Sequence, residues 1–283
     1  MVLTDCHVHV QPYESFLPPA ELDSLRRSRP NDFDLLMQFA RSPKCFLKFM
    51  DEIGVDRSVL INSLPPNTHV DPMQLNQLAA DYARCNPRRL ITCGYMNPHY
   101  GNDAQREAEQ IVRLRARLIK LHPPHQHFYP NDYLNGLKPL EILYRVAEEN
   151  GIPIMFHTGT SIFHGARNKY GDPIYLDDVA VDFPKLTIIM AHGGRPLWMD
   201  TAFFLVRAYK NVYMDISSIP PRRLLHYFPR LEEMASKVMY GSDWPGPGVP
   251  GMKDDLDDFR ALKLSEAAQR QMLSETALRV WPE

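Results

Sequence analysis

Eight short apolar runs punctuate this chain, and their number and kind leave few folds open. They are "MVLTDCHV" at 1–8, "RSVLINS" at 57–63, "RLITCGYMN" at 89–97 and "RLIKLHP" at 117–123, then "IPIMFHTG" at 152–159, "LTIIMAHGG" at 186–194, "NVYMDISS" at 211–218 and "KVMYGSDWP" at 237–245. Each is almost continuously apolar rather than alternating, as expected of a parallel strand covered on both faces. Helical patterns separate them: "NQLAADYARCN" precedes the third run, and "LKPLEILYRVAEENG" precedes the fifth. The latter ends in Asn150-Gly151, a plausible helix stop. Strand alternating with helix eight times predicts an α/β protein, a (β/α)8 TIM barrel. The rival, a doubly wound open sheet, lacks a GxGxxG after the first strand.

A chain of 283 residues is long enough for such a barrel as a single domain, 1–283, and no linker or internal repeat divides it. Two connections exceed a simple turn. Residues 11–56 open with a Pro-containing stretch at 11–30 and continue with "NDFDLLMQFARSPKCFLKFMDEIG", a pattern for more than one helix. Residues 158–176 form a polar, Gly-containing excursion, and long loops in compact domains are usually functional. The last segment, "LSEAAQRQMLSETALRVW", reads as an amphipathic closing helix.

Lys plus Arg number 32 against 34 for Asp plus Glu, a net charge of −2. No field of one sign dominates, which argues against nucleic acid or an anionic membrane as partner. No stretch approaches the roughly 18 apolar residues of a membrane span. The four cysteines form no CxxC pair, and no signal peptide is recognisable, so a cytoplasmic protein with reduced thiols is expected. The partner expected is a small molecule, and a monomer and a homo-oligomer both remain open.

In a barrel of this type the functional residues stand at the C-terminal ends of the strands. Those ends carry His7 and His9 on the first run, Lys120 and His122 on the fourth, His157 on the fifth, His192 on the sixth and Asp243 on the eighth. His7 and His9 are two apart on a strand and project to one face. With His157 and Asp243 they would meet around one point, and imidazole with carboxylate suits Zn²⁺ or another first-row divalent ion. Each residue also has a plainer reading. His157 and His192 could be satisfied core histidines, Asp243 a cap on the turn it begins, and Lys120 one half of an ion pair.

The set "DCHVHV", "IKLHPPHQ", "MFHTG", "MAHGG" and "YGSDWP", in that order, resembles the amidohydrolase superfamily. The likeness is to its amidohydrolase-related group, which includes aminocarboxymuconate semialdehyde decarboxylase and several lactone hydrolases. It runs over nearly the full chain. It implies a (β/α)8 barrel with one divalent ion, zinc in the first instance, on His7, His9, His157 and Asp243. It further implies that Asp243 takes a proton from the attacking water, and that His192, not always a ligand in that group, often acts on that water. Lys120 matches the position where some superfamily members use a carboxylated lysine to bridge a second ion; single-metal members manage without it.

Around that centre, Lys120, His122, Arg167, Lys169, Tyr170, Arg195 and Trp244 are candidates for contact with substrate. Arg suits a carboxylate because its planar fork engages both oxygens. Arg167, Lys169 and Tyr170 lie in "SIFHGARNKYGDPIY", expected to fold over the pocket; Arg195 directly follows His192-Gly193-Gly194. The reading preferred is a metal-dependent hydrolase of a lactone, ester or amide of a small carboxylated compound. A non-oxidative decarboxylase of an aromatic or unsaturated acid needs the same groups and is the alternative. A non-catalytic barrel with a structural metal ranks below both.

Overall fold

The structure, a computed structural model, describes residues 1–66, 68, 70–100 and 103–283. Each apolar run holds one strand: β1 (Thr4–Val8), β2 (Arg57–Leu60), β3 (Leu90–Tyr95), β4 (Leu118–Leu121), β5 (Ile154–His157), β6 (Ile188–Ala191), β7 (Val212–Asp215) and β8 (Val238–Met239). Neighbours pair in parallel and in chain order. The ring closes where Val8 bridges Trp244. Three backbone bonds reinforce that seam: Cys6 N–H to Tyr240 O at 3.0 Å, Asp243 N–H to His7 O at 2.8 Å and His9 N–H to Trp244 O at 2.8 Å. The result is a (β/α)8 TIM barrel.

Burial on both strand faces explains why the runs do not alternate. Cys6, Val59, Ile91, Leu118, Met155, Ile189 and Met239 meet in one apolar cluster, the barrel interior. Their strand neighbours Ile119, Ile154, Phe156, Ile188 and Met190 pack outward in a larger cluster with the helices. The runs overshoot the strands at their C-terminal ends. The eighth run gives only a two-residue strand, and beyond it the chain passes through a left-handed residue at Asp243 (φ 64°).

The long first connection holds a 3₁₀ turn at Tyr13–Ser15 and helices Pro19–Ser28, Phe33–Arg41 and Pro43–Ile53. Ser42 caps the last of these through Cys45 N–H, and Gly54 ends it at φ 73°. Helix Pro19–Ser28 fully buries none of its residues, so no readable apolar stripe marked it in the sequence. The excursion after β5 contains two 3₁₀ turns, Asn168–Gly171 and Pro173–Tyr175. The closing segment is helical at Glu266–Arg270 and Thr276–Val280, with a π turn at Gln271–Glu275 between. Its end plugs the base of the barrel: Trp281 is 1% exposed, joins the interior cluster and donates Nε1–H to Arg117 O at 2.8 Å. Among the described residues no helix is long and apolar enough to cross a membrane.

Trp281→Ala removes the largest side chain of that plug and leaves a cavity. We expect a loss of about 3–5 kcal/mol in chemical denaturation, with metal affinity unchanged because the plug lies at the end opposite the histidines. A smaller loss than about 1 kcal/mol would show that the base collapses around the gap.

Candidate active site

The strand ends at the open mouth bring five imidazoles and two carboxylates together. β1 carries a register shift between Asp5 and Val8, and beyond it His7 and His9 lie with ring centroids 5.2 Å apart. Asp215, at the end of β7, orients the neighbouring rings. His7 Nδ1–H donates to Asp215 Oδ2 at 2.7 Å. Asp215 Oδ1 accepts from the backbone N–H of His192 at 3.3 Å and of Ser217 at 2.8 Å, and from the Ser217 hydroxyl. With Nδ1 committed, the free lone pair of His7 is on Nε2, which is buried and has no hydrogen-bond partner.

That nitrogen lies 3.3 Å from Asp243 Oδ1, and His9 Nε2 lies 3.1 Å from the same oxygen. His192 faces them with its ring 4.8 Å from that of His7. Its Nδ1–H donates to Ser217 O at 3.1 Å, so Nε2 is again the unprotonated atom. One donor atom each from His7, His192 and Asp243 lie within 4.8 Å of one another. Two imidazole lone pairs and a carboxylate converging in a buried space, one lone pair with no protein partner, fit a divalent cation.

Burial governs the protonation states. It holds His7 below the usual histidine range, and His157 and His192 well below it, so the rings are neutral, as metal binding requires. Burial also pushes Asp243 upward, but the hydrogen bond from His9 and the nearby Arg195 guanidinium outweigh it and hold the carboxyl below its ordinary range. Asp215 is likewise raised by burial and then held low by His7, Lys120 and Ser217. His192 and Asp243 both adopt left-handed backbone (φ 64° each). Strain of this kind in non-glycine residues persists where the surroundings enforce it and clusters at functional sites. Gly246 leaves room for Asp243: a Cβ there would stand 2.5 Å from Asp243 Oδ2.

His157 ends β5 beside His192, ring centroids 4.7 Å apart, and its Nε2–H donates to Thr160 O at 3.3 Å. On its other side His122 stacks at 3.8 Å, and His125 stacks on His122 at 3.3 Å. Lys120 is buried nearby with Nζ unpartnered, and burial lowers its ammonium to about 8.

The other predicted contacts are placed differently. Arg195 directs Nε–H and Nη2–H to the carbonyl and hydroxyl of Ser218 and Nη1–H to Thr160 O, tying the loops after β5, β6 and β7 together. Arg167 and Lys169 are exposed, and Lys169 Nζ lies over the Tyr170 ring at 4.8 Å. The β5 loop reaches the histidine row instead through Ser161, bonded to His125 Nε2 at 2.8 Å, and through Phe163 against the same ring. Trp244 is buried against Phe39.

Asp215, Ser217 and Asp5 also serve the site, although the sequence pattern did not single them out. Asp5 Oδ1 accepts from His7 N–H at 3.1 Å and Ser242 N–H at 3.0 Å, joining the segments that carry His7 and Asp243. The signal for Asp215 was present, since it ends the seventh apolar run as Asp243 follows the eighth.

Fold and site together define a TIM-barrel protein with a candidate metal centre at the C-terminal mouth of the barrel. The amidohydrolase family model (Amidohydro_2) matches residues 4–282, and the chain belongs to that family. No curated protein matches it by sequence. An uncharacterised TIM-barrel protein from Bordetella bronchiseptica superposes with a TM-score of 0.75 at 19% identity, covering 98% of this chain and 97% of that one. A 2,6-dihydroxybenzoate decarboxylase from Rhizobium gives a TM-score of 0.65 at 16% identity, with 98% of both chains covered. A probable 2-pyrone-4,6-dicarboxylic acid hydrolase from Acinetobacter baumannii gives 0.62 at 15% identity, with 99% of both covered. At these identities the likeness is one of fold.

Asp215→Asn keeps the shape but loses the charge that fixes the His7 tautomer. Zinc affinity, measured by chelator competition, should weaken about 10- to 100-fold. Unchanged affinity would mean that the His7–Asp215 bond does not serve the centre.

Proposed function

We propose that the protein is a metal-dependent hydrolase acting on a lactone, ester or amide bond of a small carboxylated compound. One observation carries the reading: a buried imidazole lone pair with no protein partner, beside a carboxylate held ionised, at the catalytic end of the barrel. The proposed ligands are His7, His9, His157 and Asp243, with zinc as the ion and one ion per chain; His192, whose donor atom converges with those of His7 and Asp243, is assigned to the attacking water rather than to the ion. Bound there, it would lower the pKa of a water molecule toward neutrality and polarise the substrate carbonyl.

The protein's own groups supply the rest. Asp243, kept ionised and offering a second oxygen, accepts the proton of the attacking water. His192 presents an unprotonated Nε2 whose orientation is fixed through Nδ1 and Ser217, and it orients that water or stabilises charge on the substrate oxygen. Closure of the interior beneath the centre leaves the mouth as the place where substrate binds.

His192→Asn separates the roles: metal content should stay near that of the wild type while turnover falls about 100-fold or more. Parallel loss of metal and activity would make His192 a ligand instead. His157→Asn should lose both together. A panel of lactones, esters, amides and aromatic acids offered to zinc-loaded protein, with ring opening and CO2 followed separately, tests the reaction. Ring opening without CO2 is expected; CO2 release from an acid would favour the decarboxylase. Two ions per chain would overturn the mononuclear centre.

A further inference from the structure

Among the described residues, three buried side-chain nitrogens at the barrel mouth have no hydrogen-bond partner: His7 Nε2, Lys120 Nζ and His122 Nδ1. The proposed ion accounts for the first. It leaves the other two, which stand two residues apart: Lys120 within β4 and His122 just past its end, where the next turn begins. Lys120 is 1% exposed and His122 7%. A buried ammonium with no acceptor is among the least favourable groups a fold can retain, and each such exception calls for a cause. Asp215 does not provide one, since its oxygens already serve His7, His192 and Ser217.

His122 is also held rigidly. Its backbone N–H donates to Gln126 Oε1 at 2.7 Å, and Gln126 Nε2–H donates to Met96 O at 2.8 Å. Its ring lies between His125 and His157, tilted 14° and 15° from them. His125 is fixed in turn, because Nδ1–H donates to Leu64 O at 3.0 Å and Nε2 accepts from the Ser161 hydroxyl. A buried ammonium and a buried imidazole nitrogen, neither with a partner among the described residues and the second on a ring that cannot turn away, amount to a preorganised site for an anion when Nδ1 carries the ring proton. It adjoins the candidate centre, since His157 touches His122 on one side and His192 on the other.

We propose that Lys120 and His122 anchor a carboxylate group of the substrate, separate from the group that reacts at the His7–Asp243 centre. The substrate is then a compound with a carboxylate a few bonds from its scissile carbonyl. Its anchor is the buried end of β4, not the exposed Arg167 and Lys169 of the β5 loop. The inference rests on the reading of the histidine cluster as the reacting centre.

The test uses zinc-loaded protein and calorimetric titration with malonate, succinate and glutarate. Each is compared with propionate, butyrate or valerate, in which a methyl group replaces one carboxylate. In the wild type, the second carboxylate of the best-fitting probe should add about 10- to 150-fold in affinity. Lys120→Met and His122→Phe should each abolish most of that advantage, leaving monocarboxylate affinity and zinc content unchanged. Lys120→Met should also raise the melting temperature of probe-free protein, because it removes an unpaired buried charge. That variant, apolar and of similar length, decides the matter alone should His122→Phe not fold. The proposal is overturned if the wild type shows no dicarboxylate advantage or if Lys120→Met retains it. A lowered melting temperature in Lys120→Met, or a fall from two zinc ions to one, would overturn it as well. Wild-type protein that holds no zinc would instead remove the metal centre on which the proposal stands.

Discussion

The seam between the last strand and the first is the constraint on which the candidate site depends. Closing a barrel requires β8 to pair with β1, and here that pairing joins the segments bearing His7, His9 and Asp243. Asp243 N–H bonds to His7 O, His9 N–H bonds to Trp244 O, and Asp5 Oδ1 receives N–H groups from both sides. Leaving one such buried group unpaired costs about 1–3 kcal/mol. The same bonds therefore close the fold and set the carboxylate beside the imidazoles. Asp215 adds the opposite wall, linking β7 to β1 through His7 and to the segment after β6 through His192.

Burial then does two things at once. It removes the charge from the histidines, which frees their lone pairs, and it raises the cost of every unmatched polar atom near them. Asp215 and Asp243 resist, because hydrogen bonds and neighbouring positive charge outweigh their desolvation. The left-handed backbone at His192 and Asp243 falls beyond β6 and beyond β8, where each side chain meets the His7 ring.

The barrel was legible in the sequence because strands buried on both faces write continuous apolar runs, as β4 to β6 do. The strand-end rule likewise grouped His7, His9, His157, His192 and Asp243, which do lie beside one another at the mouth; the role of each rests on the resemblance. Helix Pro19–Ser28 was not legible, since it fully buries no residue and only Leu22 and Leu25 lean on the core, too short a stripe to read. Asp215 escaped because a lone acid after Tyr213-Met214 looks like any strand terminus until its four donors are seen. The β5 loop shows a different limit. Side-chain direction in a loop follows no period, so charge composition alone did not separate the exposed Arg167 and Lys169 from Ser161 and Phe163, which meet the histidine row.

Trp281 closes the base of the barrel, and the side chains above it fill the interior without exposure. Among the described residues the base offers no passage, so a ligand of the histidines would have to enter and leave at the mouth. Two ligands of that centre would therefore exclude one another, each filling the way by which the other must come.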